Sequence, residues 1–314
     1  MRLKIKIVLL AMLSLCLIGL YMFINGGGNW DYILPRRGIK IVAIVITGGT
    51  IAISTVIFQT ITNNRILTPS ILGLDSLYML LQTTVIFLIG SQSATIMNKN
   101  VNFLLSVIVM VLFSGILYRL LFKREGQNIY FLLLLGLIFG TFFSSISTFM
   151  QVLIDPNEFQ IVQDKMFASF NNIHTDLVWL SIVIIGIGIL YVWPYLKYLD
   201  VLSLGKEQAI NLGVDYDHVV KRLFLVIALF ISIATSLVGP ITFLGLLVAN
   251  LTYEVMKTFR HSYLLVASVF LSIIALFGGQ LLVEHVFTFS TTLSVIINFV
   301  GGVYFLYLLL KERK

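Results

Sequence analysis

Ten apolar runs, each of roughly 20 residues, are the feature that most constrains how this chain can fold. A helix of about 20 residues spans the roughly 30 Å hydrocarbon core of a bilayer, whereas a membrane β-strand needs only about ten residues of alternating polarity. Because these runs are long and uniformly apolar, only helices satisfy their backbone hydrogen bonds in lipid. We therefore predict an all-α polytopic membrane protein with about ten transmembrane helices, approximately at 4–24, 39–61, 71–92, 101–122, 129–153, 176–195, 219–238, 240–257, 263–284 and 292–310.

The composition leaves no room for a large soluble domain. Of the 314 residues, 59% are hydrophobic and 11% are charged, and the mean hydropathy is +1.01. Since the chain has no repeat of fixed period and no Pro-rich linker, we interpret residues 1–314 as a single transmembrane domain. The first run follows a basic start but lacks a small-x-small cleavage site, so we interpret it as an anchored helix and not as a signal peptide.

The basic residues predict the orientation of the chain. With the N-terminus inside, 16 of the 21 Lys and Arg residues fall on one side of the membrane. That side is cytoplasmic by the positive-inside rule, so both termini are predicted to be cytoplasmic. The net charge of +7 then reflects topology and does not indicate a nucleic-acid partner. The five basic residues on the outer side are Arg36, Arg37, Lys40, Lys99 and Lys165.

Residues that could perform chemistry are scarce. The single cysteine, Cys16, lies in the first run and the four histidines are scattered, so neither a metal site nor a cofactor is predicted. Gly205-Lys206 lacks the upstream glycine of a phosphate-binding loop. The candidate internal acids are Asp75 and Glu284, both near run ends, whereas ion-coupled carriers usually need one at mid-bilayer. We predict a transporter component that is not an enzyme and draws its energy from elsewhere; an ion-coupled secondary transporter is the alternative.

Three motifs resemble the permeases of bacterial iron-siderophore and cobalamin ABC importers, the FecCD type. ITGGTIAISTVIFQTITNNRILTPSILG, at 46–73, resembles G-A-x-L-A-x-x-G-x-x-x-Q-x-x-x-x-N-P-L-A-x-P-x-x-L-G. LSLGKEQAINLGVD resembles L-x-L-G-x-x-x-A-x-x-L-G, and VGPITFLGLLVANL resembles G-x-I-x-F-x-G-L-x-x-P-H. The matching residues of the first and third motifs are Gly48, Ala52, Gln59, Asn64, Pro69, Leu72, Gly73, Gly239, Ile241, Phe243, Gly245 and Leu246.

The chain also departs from the family pattern. Thr55 stands where a glycine is usual, Arg65 replaces a proline, and Ala249-Asn250 replaces Pro-His. These departures indicate a divergent branch. The stretches KTFRHSYLL and TTLSVIINFVGG resemble subunits of catecholate-siderophore systems.

The resemblance implies a type II ABC importer permease fold in the bacterial cell membrane. Such a permease pairs with a second one, identical or homologous, and binds a dimer of ABC ATPases on the cytoplasmic side. An extracytoplasmic siderophore-binding protein or lipoprotein delivers the substrate, which is expected to be a ferric siderophore of catecholate type. A permease for cobalamin or haem is the alternative within the family.

The resemblance also assigns three sets of residues. The polar segment at about 197–218 would bind the ATPase, through Leu204, Gly205, Lys206, Glu207, Ala209, Leu212 and Gly213. The outer basic residues Arg36, Arg37 and Lys40 would engage acidic residues of the binding protein, although they could simply anchor the helix at the membrane interface. Small and polar residues of the second run would line the pathway or allow close helix packing: Thr47, Ser54, Gln59 and Asn64.

Overall fold

The computed structural model describes residues 3–24, 30–90, 99–122, 129–171 and 173–312, and within these ranges the backbone forms helices and turns but no strand. The α-helices, numbered in chain order, are α1 (Leu3–Phe23), α2 (Trp30–Thr62), α3 (Leu74–Ile89), α4 (Lys99–Phe122), α5 (Ile129–Leu153), α6 (Pro156–Met166), α7 (Thr175–Val192), α8 (Leu199–Leu202), α9 (Lys206–Asn211), α10 (Tyr216–Val238), α11 (Leu244–Met256), α12 (His261–His285) and α13 (Leu293–Glu312). Short 3-10 turns cover Pro69–Leu72 and Trp193–Tyr198.

The predicted all-α membrane architecture is confirmed. Over the described ranges, seven helical stretches are long and apolar enough to cross a bilayer, and α3, α11 and most of α13 are shorter apolar helices. Each of the ten predicted runs corresponds to one of these helices. The number that actually cross the membrane, and the side on which the termini lie, stay predictions.

The helix ends differ from the prediction where glycine, proline or a cap intervenes. α2 begins at Trp30 and not at residue 39, with Pro35 inside it. α3 and α11 are shorter than predicted because they begin after Gly73 and after the Gly239-Pro240 break. α6 was not predicted: Asp155 Oδ1 accepts a hydrogen bond from the Asn157 amide at 2.9 Å, and Pro156 occupies the first turn.

Helices α2 and α10 form the centre of the bundle. α2 packs against α10, α11 and α12, and α10 also packs against α4 and α7. Most of the apolar part of both helices is buried, whereas α1 and α5 expose most of theirs at the periphery. Apolar surface that faces outward from a membrane bundle contacts lipid, so this gradient fits a chain surrounded by hydrocarbon.

The start of α3 packs closely on α5 through glycines. Gly73 has φ of 76° and ends the 3-10 turn, a left-handed conformation that glycine adopts without strain. A Cβ atom on Gly136 would lie 2.5 Å from the Ile71 carbonyl oxygen, so no side chain fits there without a shift. The turn at Pro69–Leu72 therefore lies directly on α5, as small residues allow in membrane bundles.

Candidate functional site

The polar segment at about 197–218, which the sequence predicts to bind the ATPase, is called the coupling segment below. Two glycines set its shape. Gly205 (φ 98°) precedes α9 and Gly213 (φ 81°) follows it, and both values favour glycine. The Gly213 amide donates to the Ile210 carbonyl at 2.9 Å, and the Val214 amide donates to the Ala209 carbonyl at 3.0 Å. These bonds close the last turn of α9, so the segment is a short helix of defined angle.

The apolar residues of the coupling segment divide into buried and exposed sets. Ala209 is fully buried (0% exposed), so it supports α9 from within the chain. Leu204, Ile210 and Leu212 are 57%, 51% and 63% exposed. Large apolar side chains in water are unfavourable unless a partner covers them. The outward surface of the segment is therefore formed by these three residues, together with the exposed polar side chain of Glu207.

Lys206 makes contacts within its own chain. Its ammonium lies 3.7 Å from Asp217 Oδ1 in an exposed ion pair and also lies over the Tyr216 ring. The Tyr216 hydroxyl donates to the Ile61 carbonyl at 3.4 Å, at the C-terminal end of α2. Exposed ion pairs contribute little to stability, so the main consequence is orientation of the Lys206 side chain along the start of α10.

A hydrogen-bonded chain joins the coupling segment to two long helices. Asp200 Oδ1, on α8, lies 2.7 Å from His261 Nδ1 and accepts the His261 amide at 2.8 Å. His261 Nε2 lies 2.8 Å from the Thr60 hydroxyl on α2, which itself lies 2.8 Å from the Val56 carbonyl oxygen. Since the Asp200 carboxylate can only accept, His261 Nδ1 carries a proton; Nε2 accepts the Thr60 hydroxyl in the neutral ring and donates to it in the imidazolium. These hydrogen bonds connect α8 to α2 and α12.

A cavity of about 470 Å³ opens beside this chain of bonds, on the side that the sequence predicts to be cytoplasmic. Gln59, Asn64, Leu204 and the loop before α12 are among its walls, so two of the residues predicted to line the pathway do line a cavity. In that loop Phe259 is 78% exposed. The apolar surface of the coupling segment and Phe259 therefore flank one opening.

Two departures from the family pattern are in contact beside this cavity. The carbonyl oxygen of Arg65 accepts hydrogen bonds from Gln59 Nε2 at 2.6 Å and from Asn250 Nδ2 at 3.0 Å. The Arg65 guanidinium lies 4.7 Å from the centre of the Tyr253 ring, in cation-π geometry. A third departure, Thr55, packs against Gly245, where an added Cβ atom would lie 2.2 Å from the Thr55 hydroxyl.

Thr47 and Ser54 lie elsewhere. They are 1% and 0% exposed and are packed between helices within the single chain, so they line none of the described cavities. Nearby, a Cβ atom on Gly48 would lie 2.8 Å from Leu276 of α12. Their arrangement in this conformation is that of close helix packing, and lining of the pathway by Thr47 and Ser54 stays a prediction.

On the outer face, the three predicted docking residues occupy different environments. Arg36 is exposed and donates to the Tyr32 hydroxyl at 2.6 Å. Arg37 instead donates to the carbonyls of Tyr21, Met22 and Ile24 at 2.9, 3.0 and 2.7 Å, and so caps the end of α1. Of the two, Arg36 is the more available to a partner.

Lys40 belongs to a largely buried polar cluster. Its ammonium lies 3.7 Å from Glu284 Oε1, and the two side chains are 17% and 11% exposed. The Tyr21 hydroxyl and Gln280 Nε2 donate to the same oxygen at 3.0 and 2.8 Å. A buried carboxylate needs such partners, so Glu284 has a structural explanation. Asp75, the other internal acid, accepts a hydrogen bond from the Thr235 hydroxyl at 3.3 Å.

The sequence analysis did not single out Asp200, His261 or Thr60. Asp200 and His261 are separated by 61 positions and Thr60 and His261 by 201, so a single sequence gives no signal that they meet. Phe259 was also missed, although an aromatic residue within the polar stretch KTFRH is a detectable signal of an exposed contact residue.

Comparison with known proteins gives consistent results. The model of the FecCD transport family matches residues 6–311. The petrobactin import system permease protein YclO of Bacillus subtilis is 66% identical over 314 residues, which cover 100% of this chain and 99% of that protein. The petrobactin import system permease protein YclN of the same organism is 25% identical over 287 residues, 89% of this chain and 85% of that protein.

A solved structure shares the fold. It is described as a metal-chelate type ABC transporter in an inward-facing conformation, and it superposes with a TM-score of 0.83 over 99% of this chain and 100% of that chain. The sequence identity is 18%, so this likeness shows the fold alone.

Proposed function

Since the chain belongs to the FecCD transport family, we propose that it is the permease subunit of an ATP-driven importer that carries ferric siderophores of the petrobactin type. It is a multi-pass protein of the cytoplasmic membrane. Its 66% identity to a petrobactin permease over the full length is the observation that carries the choice of substrate. The KTFRHSYLL and TTLSVIINFVGG stretches favour a chelate of catecholate type.

The ATPase dimer binds at the coupling segment. Leu204, Ile210 and Leu212 form the apolar contact surface, and Gly205 and Gly213 fix its angle. Short helices with exposed apolar residues fit grooves in partner domains. Lys206 and Glu207 lie at the margin of this surface, where charged groups set register more than affinity. Ala209 acts from inside, as the packing support of α9.

Motion of the ATPases reaches the permease through Asp200, His261 and Thr60. Because these bonds join α8 to α12 and α2, closure of the ATPases displaces rigid helices and not a flexible loop. Substrate passage is then a shift between two packed states. Gln59 and Asn64 line the pathway where the cytoplasmic cavity opens.

The second permease is a homologue and not a second copy of this chain. The supporting observation is that Bacillus subtilis contains two petrobactin permeases, of which one is 66% and the other 25% identical to this chain. The departures at Arg65 and Asn250 are compatible with a subunit that has specialised for one side of a heterodimer.

The extracytoplasmic binding protein docks on the outer face through Arg36. Ion pairs at an exposed rim mainly set the association rate and orientation, and they weaken with salt. Arg37 and Lys40 support this surface from within, by capping α1 and by pairing with Glu284.

The test of this function is iron uptake in proteoliposomes. The chain is reconstituted with its homologous permease, the ATPase and the binding protein, and uptake of radiolabelled ferric petrobactin is measured with ATP inside. We expect uptake that stops when ATP is replaced by a non-hydrolysable analogue. Uptake that persists with the analogue and requires a proton or sodium gradient would instead identify an ion-coupled transporter.

A further inference from the structure

The outer face gathers its few basic residues at one pocket. A cavity of about 370 Å³ is lined by Arg36, Lys40, Lys99 and His174. Lys165 is near enough for its charge to act on His174. Three of the five Lys and Arg residues assigned to the outer side therefore line one pocket, and the charge of a fourth, Lys165, acts on it from nearby, although α2, α4 and α6 supply them separately. The positive-inside rule explains why outer cations are few and does not explain why they converge.

The positive charge of this pocket is only partly neutralised within the chain. Glu284 pairs with Lys40, and Asp164 and Asp176 act on Lys165 and His174 from nearby. None of the described residues that line the pocket carries a carboxylate. Like charges gathered at one place repel each other, so the arrangement is favourable only when an anion joins it.

Contacts inside the pocket also show an excess of positive charge. The Lys99 ammonium lies 2.6 Å from His174 Nε2, a distance that requires a neutral imidazole as acceptor. Partial removal from water lowers the pKa of His174, and repulsion by Lys99 and then Lys165 lowers it further. Desolvation followed by the charge of Lys99 also lowers the pKa of Lys165. Lys99 thus bonds to a neutral ring where a carboxylate would be the stronger acceptor.

The walls and size of the pocket define what fits. Ile39, Phe170 and Ile173 supply apolar surface beside the cations, and the Asn171 side-chain oxygen accepts from Lys40 at 3.0 Å. A volume of about 370 Å³ is at the small end for ligand pockets, enough for one arm of a chelate and not for a whole siderophore. An apolar wall next to ammonium groups suits an aromatic or short organic anion.

We propose that this pocket binds one anionic arm, a carboxylate or catecholate, of the ferric chelate at the outer mouth of the permease. The identity of the ligand rests on the proposed import function; the binding of an organic anion does not. Lys99 and Lys165 provide the charge, Lys40 and Asn171 form one side, and His174 accepts from Lys99 until the anion replaces it. The pocket contributes no ligand to the iron, which remains coordinated by the chelate.

The proposal is tested by equilibrium binding to the full-length chain in nanodiscs of phosphatidylcholine, with neither ATPase nor binding protein present. The probes are ferric petrobactin and the trianionic ferric enterobactin, with the cationic ferrioxamine B for comparison. We expect the anionic chelates to bind, with affinity about tenfold lower in Lys99→Gln and in Lys165→Gln. Lys4→Gln, at an exposed lysine near the start of α1, is the matched control and should bind as the wild type does.

Three results would overturn the proposal: unchanged affinity in both variants, equal binding of ferrioxamine B, or, in a separate pull-down with the binding protein, loss of its association in Lys99→Gln while chelate binding remains. The last would show that the pocket receives a carboxylate of the binding protein. Besides the chelate and the binding protein, anionic lipid could supply the anion. If phosphatidylglycerol headgroups occupy the pocket, adding this lipid to the nanodiscs should abolish chelate binding by the wild type. Because the assay contains no ATP and measures no uptake, its outcome is independent of whether the chain proves to be an ATP-driven permease.

Discussion

Asn250 Nδ2 lies 3.0 Å from the carbonyl oxygen of Arg65, so two positions at which this chain departs from its family pattern are hydrogen-bonded to each other. The acceptor is a backbone atom and does not depend on the arginine side chain. The guanidinium makes a separate contact, over the Tyr253 ring. Arg65 therefore connects the turn after α2 to α11 by two independent interactions, one with Asn250 and one with Tyr253.

A double-mutant cycle distinguishes these interactions. Asn250→Ala and Arg65→Ala should each lower the melting temperature, but their effects should add within about 0.5 kcal/mol, because Arg65→Ala keeps the carbonyl. Gln59→Ala and Asn250→Ala remove two donors from one oxygen, and should show a coupling of about 0.5–1 kcal/mol. Thermal unfolding of the detergent-solubilised chain measures both. Strong coupling between Arg65→Ala and Asn250→Ala would contradict the backbone assignment.

The coupling surface is tested by one exposed and one buried substitution. Leu212→Asp should abolish co-purification with the ATPase and leave the melting temperature of the isolated permease unchanged, because Leu212 is 63% exposed. Ala209→Asp should destabilise the permease itself by several kcal/mol, since it puts an unpaired charge in a packed site. Asn211→Ser, at an exposed polar position of α9, is the control and should behave as the wild type does. Retained ATPase binding in Leu212→Asp would rule out this surface.

The contacts of His261 predict that its substitution impairs iron transport while ATPase binding is retained. His261→Ala removes the link from Asp200 to Thr60 and leaves the exposed surface of α9 intact, so ATPase association should be retained. The number of iron atoms transported per ATP hydrolysed should fall by about tenfold, the size expected when a buried charge-assisted hydrogen bond is lost. Ser203→Ala, next to α8, serves as control. A parallel loss of ATPase binding would show that His261 maintains the docking surface and does not transmit its motion.

Substitution of the neighbouring Arg36 and Arg37 should have different effects, on binding-protein association and on stability respectively. Arg36→Glu should weaken binding-protein association at low salt and have little effect at high salt, because an exposed ion pair is screened. Arg37→Glu should lower the melting temperature, since the last carbonyls of α1 lose their donor and face a carboxylate. Surface plasmon resonance at two ionic strengths, together with thermal unfolding, separates the two. If Arg36→Glu lowers only the melting temperature, docking lies elsewhere.

Chelate binding should depend on pH through His174. Its pKa is lowered from the ordinary value of 6.5 by desolvation and by Lys99 and Lys165, with Asp176 in partial opposition. A bound anion favours the imidazolium, so affinity should increase as the pH falls toward that pKa, by about threefold between pH 8 and pH 6. Arg36 and Lys40 also face the pocket, and burial lowers the pKa of Lys40, partly opposed by Glu284. His174→Gln should remove the increase, whereas an unchanged pH profile in this variant would exclude His174 as its source.

Local signals in the sequence were sufficient to predict most of the helices. Length and uniform apolarity locate the helices, and Gly205 and Gly213 mark the ends of α9 because left-handed backbone favours glycine. The helix α6 was within reach of the same reasoning. Asp155 followed by Pro156 is a helix-start signal, but α6 lies outside the apolar runs from which the helices were predicted.

Long-range pairings could not be predicted in this way. Lys40 and Glu284 are on helices far apart in the chain, and nothing in either neighbourhood indicates the other. The basic residues of the outer side were identified individually, yet their convergence at one pocket depends on how α2, α4 and α6 are packed. Such contacts are set by tertiary structure, which a single sequence without alignment does not encode in readable form.

The cap on α1 also bears on how the first two helices fit together. The three carbonyl groups at the end of α1 receive their donor from Arg37, which is separated by 13 residues even from the nearest of them, Ile24. Since Arg37 follows α1 in the chain, the end of α1 lacks this donor until the start of α2 lies beside it. The first two helices therefore depend on each other for a complete set of hydrogen bonds at this end.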